Sequence, residues 1–230
     1  MSVIHMVRHG QASFGKENYD QLSPLGMRQA EILAARLDRA GPEFDSLYAG
    51  NMVRHRQTAA PFARISGGEP LIQSHFDEFD AMPVWNSEIG RLVSDDPEAA
   101  ADLALIPTDS RAFDRVFGKV MMRWVKGDVD PSVAGQWREF TERVRLGVNQ
   151  LMETHGSGKD IVVFTSAGPI AATARMALSL SDEKTMEMAF QIWNASVTRF
   201  RYGPRGITLL GFNEVSHLEA EADPALITIR

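Results

Sequence analysis

Asp160-Ile161-Val162-Val163-Phe164-Thr165 (DIVVFT) is a continuous apolar run rich in β-branched side chains. A strand that is apolar on both sides must be covered on both sides, which is the condition of a central strand in a parallel sheet. Upstream, Val3–Val7 reads as a short buried strand, Ser46–Ala49 as a second and Leu71–Gln73 as a short third. Pro24–Arg39 reads as a helix: Ser23 can cap it, Pro24 suits its first position, and Ala30, Leu33 and Leu37 share a face. Gly41-Pro42 stops that helix, and Val53–Arg64 forms another that ends before Gly67-Gly68. Beyond DIVVFT a helix starts near Pro169 with Gly168 as its N-cap, and Val197–Tyr202 and Ile207–Phe212 flank a Gly203-Pro204-Arg205-Gly206 turn as a hairpin. This alternation predicts an α/β protein, a three-layer α/β/α sandwich around a mostly parallel central sheet.

The stretch from about 80 to 135 carries helical patterns and no convincing strand. Phe113, Val116, Phe117, Val120, Met121 and Trp124 recur at helical spacing, as do Trp137, Phe140, Val144, Val148 and Leu151 in the helix that follows. These aromatics and methionines read as core. The expected organisation is one domain over residues 1–230, with about 80–135 inserted as a helical lid. Charge divides sharply here. Asp77 to Asp109 holds nine acidic residues and one basic one, whereas Arg111 to Arg145 holds eight basic and five acidic. Two solvated helical faces that pair with each other account for this, although part of the basic stretch could instead overhang an anionic substrate.

Composition excludes several classes. Among 230 residues there is no cysteine, so disulfides, thiolate catalysis and Cys-ligated metal sites are ruled out. That fits a reducing, cytoplasmic setting. Met1–His5 lacks a basic region followed by an apolar core, so no signal peptide is expected. No apolar run is long enough to span a bilayer, so no membrane partner is expected. A net charge of −6 argues against a nucleic-acid partner. His5, His75, His155 and His217 show no metal-ligand spacing, and neither a Walker A loop nor a dinucleotide fingerprint occurs.

Arg8-His9-Gly10 directly follows the first strand, and ligand sites in open α/β sheets form outside the carboxyl ends of strands. A neutral imidazole there can attack phosphorus, a neighbouring guanidinium offers a planar fork of donors to phosphate oxygens, and glycine admits close backbone approach. Alone, a three-residue match is weak evidence.

Further blocks follow in order: Leu22-Ser23-Pro24-Leu25-Gly26 with Gln29-Ala30; Tyr48 through Ala59, which contains Arg54-His55-Arg56-Gln57-Thr58; Asn194 through Thr198; and Asn213 through His217-Leu218. Together with the triplet they resemble the histidine phosphatase superfamily, whose members look like phosphoglycerate mutase. The first block is similar to the family's L-T-x-x-G-x-x-Q-A. The second is similar to its S-P-L-x-R-A-x-Q-T-A, with Gly50-Asn51 in place of Ser-Pro. The resemblance implies His9 as the nucleophile, Arg8 and Arg54 as a two-arginine phosphate clamp that dispenses with a metal, and Glu78 as the proton donor and later base. On spacing alone Asp77 and Asp80 compete with Glu78. His55 and Arg56 read as solvated, pointing elsewhere around the helix. After the central strand the family has S-H-G-G, where this chain has Thr165-Ser166-Ala167-Gly168, so Ser166 stands where a second histidine is expected. A hydroxyl can donate one hydrogen bond to phosphate but carries no charge. The start of the following helix would still aim backbone donors at an anion.

The implied activity is hydrolysis of a phosphate monoester through a phosphohistidine, without cofactor or metal. The substrate would be a small phosphorylated molecule or a phosphoprotein. Mutase-type transfer, and a weakly active binder of a phosphorylated ligand, are the alternatives. Substrate identity and oligomeric state are not written in the sequence.

Overall fold

The computed structural model describes residues 2–13, 20–40 and 43–229. The expected stop at Gly41-Pro42 lies outside them. The described strands are β1 (Ser2–Arg8), β2 (Ser46–Ala49), β3 (Leu71–Ile72), β4 (Asp160–Thr165), β5 (Val197–Gly203) and β6 (Gly206–Glu214). They form a single sheet in the order β3-β2-β4-β1-β5-β6. β1, β2, β3 and β4 run parallel, and β5 is antiparallel to both its neighbours. DIVVFT is therefore an interior strand, between β2 and β1.

The period of two along β4 explains the layers. Ile161 and Val163 join Ile4, Met6 and Phe200 in one apolar cluster, while Val162 and Phe164 join Val7 in another. Helices α1 (Pro24–Ala40) and α2 (Val53–Ser66) cover the second cluster with Leu33, Leu37, Ala59 and Phe62. The first cluster is covered by α7 (Gln136–His155), through Val144, Val148 and Leu151, and by α8 (Ala167–Leu178), through Ile170 and Ala171. The three-layer expectation holds because each face of the sheet is apolar and each has its own helical layer. Ser23 caps α1 as expected, its hydroxyl accepting the Gly26 N–H at 3.0 Å.

Between β3 and α7 lie α3 (Met82–Asp95), α4 (Pro97–Leu105), α5 (Ser110–Lys126) and the short α6 (Pro131–Ala134), with no strand. Asp96, Asp109 and Asp130 each accept backbone N–H groups at the start of α4, α5 and α6, which divides the segment into separate helices. The acidic and basic stretches pair across it: Lys119 reaches Asp96 and Glu98 at 2.9 Å each, Arg123 reaches Asp95 at 2.9 Å, and Arg115 reaches Asp102 at 2.6 Å. Beneath them the Phe79 ring meets Trp124 at 5.1 Å and Phe140 at 5.3 Å, with Trp137 5.4 Å from Trp124. Among the described residues no helix is long and apolar enough to cross a membrane.

One helix start departs from expectation. α8 begins at Ala167, and its N-cap is Ser166, not Gly168. The Ser166 hydroxyl makes no cap bond, because it is engaged elsewhere.

Candidate active site

The carboxyl ends of β1, β2 and β4 open toward one region, and the chain leaving β3 turns back over it. At the end of β1, His9 donates its backbone N–H to Thr165 O at 2.8 Å. Its own carbonyl accepts from Ala195 N at 3.1 Å and from the Asn194 side chain at 3.3 Å. The Nδ1 of His9 lies 2.7 Å from the Gly10 carbonyl. A carbonyl only accepts, so Nδ1 carries the proton and Nε2 keeps its lone pair. The imidazole is buried, and burial followed by the nearby Arg8, Arg54 and His55 holds its pKa well below the usual histidine value. His9 is thus a neutral imidazole in a fixed tautomer.

The motif residues around it act as pegs. Gly10 N donates to the Thr58 hydroxyl at 3.0 Å, which in turn donates to Arg54 O at 2.7 Å. Gln11 N donates to the Gln29 side chain at 2.7 Å, and Leu22 N to the Gln57 side chain at 2.8 Å. Three ordered polar side chains on α1 and α2 thereby fix the chain at the end of the triplet and beyond it. Arg8 donates through its guanidinium to the Ile192 carbonyl. That loop is set by Asn213, whose side chain accepts from Trp193 N and donates to Gln191 O, both at 2.7 Å.

Arg54 occupies the first turn of α2 and is buried. Asp20 accepts from its guanidinium at 2.8 Å, and also from Val53 N at 2.8 Å, so one carboxylate orients the side chain and tops the helix. The sequence reading missed Asp20. No local signal marks it, since its partner lies 34 positions on.

Glu78 is held by its two ends. Oε1 accepts the Phe79 N–H at 3.1 Å, and Oε2 accepts the Gly168 N–H at 3.0 Å. Phe76 on one side is buried, its carbonyl taking the Thr165 hydroxyl at 2.6 Å, while Phe79 on the other side anchors in the aromatic cluster. Arg143 of α7 donates to Asp77 O at 2.9 Å and to Ser74 O, bracing the same loop. Burial raises the Glu78 pKa, against the opposing pull of the Gly168 N–H and Arg54. A Cβ at Gly168 would lie 1.9 Å from Oε1, so the carboxyl reaches the helix only because that position is glycine. Here the expectation of an open helix start for anions is corrected: the Gly168 donor of α8 is spent on Glu78.

The clearest correction concerns His55. Read as solvated, it is fully buried, with Nε2 2.6 Å from the Ser166 hydroxyl and Nδ1 4.0 Å from an Asp77 oxygen. Burial, then Arg54, holds its pKa well below the ordinary value. A signal existed: Thr58, Ala59 and Phe62, at three, four and seven positions on, are all buried on the same face. Arg56 is exposed, as expected. Asp77, a competitor to Glu78 on spacing, instead accepts the Asn51 N–H.

The structure therefore gathers Arg8, His9, Arg54, Glu78 and Ser166 around the strand ends, and adds Asp20 and His55. Among the described residues no group of three or more His, Asp or Glu is placed to hold a metal ion. No curated protein matches the chain. Solved structures of similar fold include a mutant phosphoserine phosphatase from Entamoeba histolytica in complex with phosphoserine, at 17% identity and TM-score 0.62, with 95% of this chain and 100% of that one covered. A phosphoglycerate mutase from Bacillus anthracis str. Sterne is similar at 16% identity and TM-score 0.65, covering 96% and 97%. A mycobacterial glucosyl-3-phosphoglycerate phosphatase is similar at 19% identity and TM-score 0.65, covering 93% and 99%. The sequence model of the histidine phosphatase superfamily (branch 1) matches residues 4–215, and the chain belongs to that family.

Proposed function

We propose that this protein is a phosphatase that hydrolyses a small phosphate monoester through a phosphohistidine on His9, without a metal ion. The observation that carries the reading is the His9 tautomer: Nδ1–H is committed to the Gly10 carbonyl, so a bare Nε2 is available beside two guanidiniums. Nε2 attacks phosphorus while the bond to the leaving oxygen breaks, and the developing charge on the phosphoryl oxygens is met by Arg8 and Arg54. The Glu78 carboxyl, kept protonated to higher pH than usual by burial, gives its proton to the leaving alkoxide. In the second half Glu78 takes a proton from water as that water's oxygen displaces His9 Nε2, and orthophosphate leaves. The aromatic-cored helices between Met82 and Ala134 serve as a lid that selects the substrate, within one domain spanning the chain.

The test is rapid alkaline quench with p-nitrophenyl phosphate, which preserves a phosphohistidine. An acid-labile, base-stable phosphoenzyme should form in a burst and be absent from His9→Ala. No phosphoenzyme and no product across a broad panel of monoesters would remove the reading.

A further inference from the structure

Three positions at which this chain departs from the family patterns quoted above meet in space. Gly50 stands for a serine, His55 for an alanine and Ser166 for a histidine. His55 Nε2 and Ser166 Oγ are 2.6 Å apart, and a Cβ at Gly50 would lie 2.2 Å from His55 Nδ1. The imidazole thus occupies room that only glycine leaves open. Its ring centroid lies 5.9 Å from that of His9. Ser166 follows Thr165, which pairs with Arg8 across β1 and β4, so the serine sits beside the proposed nucleophile. We propose that His55 is the second imidazole of the phosphoryl pocket, moved from the end of β4 to the start of α2 and acting through the Ser166 hydroxyl. This rests on the phosphatase reading of the same site.

Proton counting defines the role. The Ser166 hydroxyl has one hydrogen. If His55 Nε2 is bare, that hydrogen is consumed between the two side chains. If Nε2 carries a proton and donates it to Oγ, the hydroxyl hydrogen turns to a phosphoryl oxygen. His55 is then a positioning residue and Ser166 the group that touches the substrate. Among the described residues Nδ1 has no hydrogen-bond partner, and it faces the Asp77 carboxylate at 4.0 Å. His55 is faced by Arg54 on its own helix, His9 just after β1, Asp77 beyond β3 and Ser166 after β4. With a phosphoryl anion present, Asp77 and the anion together favour protons on both ring nitrogens, which restores a positive donor to a pocket whose residue 166 has none. Ser166 gives up its N-cap bond to make the contact, and a serine at an N-cap otherwise prefers its own helix.

The experiment has two arms. In ¹⁵N-histidine-labelled wild type saturated with orthophosphate, the His55 resonances, assigned through H55Q, should show Nε2 protonated. A bare Nε2 in the phosphate-bound protein overturns the proposal. In the kinetic arm with p-nitrophenyl phosphate, H55A and S166A should each lower kcat about a hundredfold, the loss expected for one transition-state donor, with KM within about threefold. H55A/S166A should lose no more than either alone, because the two act as one unit. H55A/S166H, which returns the histidine to β4, should recover at least about tenfold over H55A. Folded H55A with kcat within threefold of wild type, or no recovery in folded H55A/S166H, overturns the relocation. If wild type turns over no phosphate ester, the phosphatase reading falls, yet the resonance arm still decides whether His55 serves the anion. A wild type that binds no orthophosphate overturns both.

Discussion

The strand ends and the helices of Met82–Ala134 are built on opposite principles. At the strand ends, polar side chains are buried and their geometry is set by backbone partners: His9 by Gly10, Thr58 by Gly10 and Arg54, Glu78 by Phe79 and Gly168. Their ionisation is displaced toward the neutral form, histidines downward and Glu78 upward. In the helical segment the interior is aromatic apart from Glu88, which is buried against Arg91 and the Asp130 N–H, and the Asp96 and Asp102 carboxylates are paired with Lys119 and Arg115, which hold them below their usual range. The first region stores desolvated polar groups, which is costly for folding and useful for chemistry. The second spends its hydrophobic surface on stability and its charges on solubility. Mutations should therefore act mainly on chemistry on one side and mainly on stability on the other, coupled where Phe79 joins the two.

The largest effect expected is on the chemical side. Glu78→Gln should lower kcat by about a hundred- to ten-thousandfold for esters with poor alkoxide leaving groups, and less for p-nitrophenyl phosphate, which leaves without help. The pH profile carries the sign. Burial lifts the Glu78 pKa, so its acid form is lost as pH rises through that raised value. Burial lowers the His9 pKa, so the bare nucleophile survives into acid and is lost only as pH falls through the lowered value. A bell in kcat/KM should result, its acid limb set by His9 and its alkaline limb by Glu78, and Glu78→Gln should erase the alkaline limb. An unchanged alkaline limb would take the acid role away from Glu78.

Next comes a change on the stability side. Trp124 is buried and donates its indole N–H to Val133 O at 3.0 Å, closing α6 onto α5 while packing Phe79 and Trp137. Trp124→Ala should cost about 3–5 kcal/mol in urea unfolding. Because Phe79 anchors the Glu78 loop, kcat should fall too, by a smaller factor. A stability loss with kcat untouched would show that the two regions are more independent than the shared aromatic implies.

How much of this was legible beforehand follows from the range of each interaction. β4 and its two-sided burial were readable because a strand's face is written at a period of two within six residues. The Ser23 cap of α1 is short-range in the same way. Arg8, His9, Arg54 and Glu78 were found through ordered motif blocks, which stand in for contacts between distant segments. Asp20 was not, because its carboxylate, just before α1, meets Arg54 only once α1 and α2 are side by side. His55 was misplaced for a different reason. A charged-looking run, Arg54-His55-Arg56, was read as a solvated edge, while the helix period put His55 with Thr58, Ala59 and Phe62. Gly168 as an N-cap failed because Glu78, 90 positions away, claims its N–H.

That same contact gives a sharper test of the boundary between the regions. Gly168→Ala introduces a Cβ 1.9 Å from Glu78 Oε1 and 3.1 Å from the Phe140 ring. Alanine is otherwise at home in a helix, where it is favoured over glycine by about 1 kcal/mol. The variant should stay folded and lose about tenfold or more in kcat, with the alkaline limb shifted as the carboxyl leaves its helix-start partner. Loss of folding in place of loss of rate would mean that the Glu78 loop is structural before it is catalytic.

The smallest effect belongs to the surface of the Met82–Ala134 helices. Lys119 bridges Asp96 and Glu98, and all three side chains reach solvent. Lys119→Ala should move Tm by no more than about 2 °C, since exposed pairs are screened and hold long side chains in place at an entropic cost. The sign with pH is fixed by the lowered pKa of Asp96, whose first cause is the Lys119 hydrogen bond. A carboxylate with a depressed folded pKa adds stability above its unfolded value and loses that contribution as pH falls through the folded value. The difference in Tm between wild type and Lys119→Ala should therefore be present at neutral pH, shrink in acid below the ordinary aspartate range, and shrink equally in molar salt. A difference that ignores both acid and salt would mean that the Lys119 stem is packing against α4 more than its charge is pairing, and this helical segment would then owe its surface order to the same burial that governs its aromatic interior.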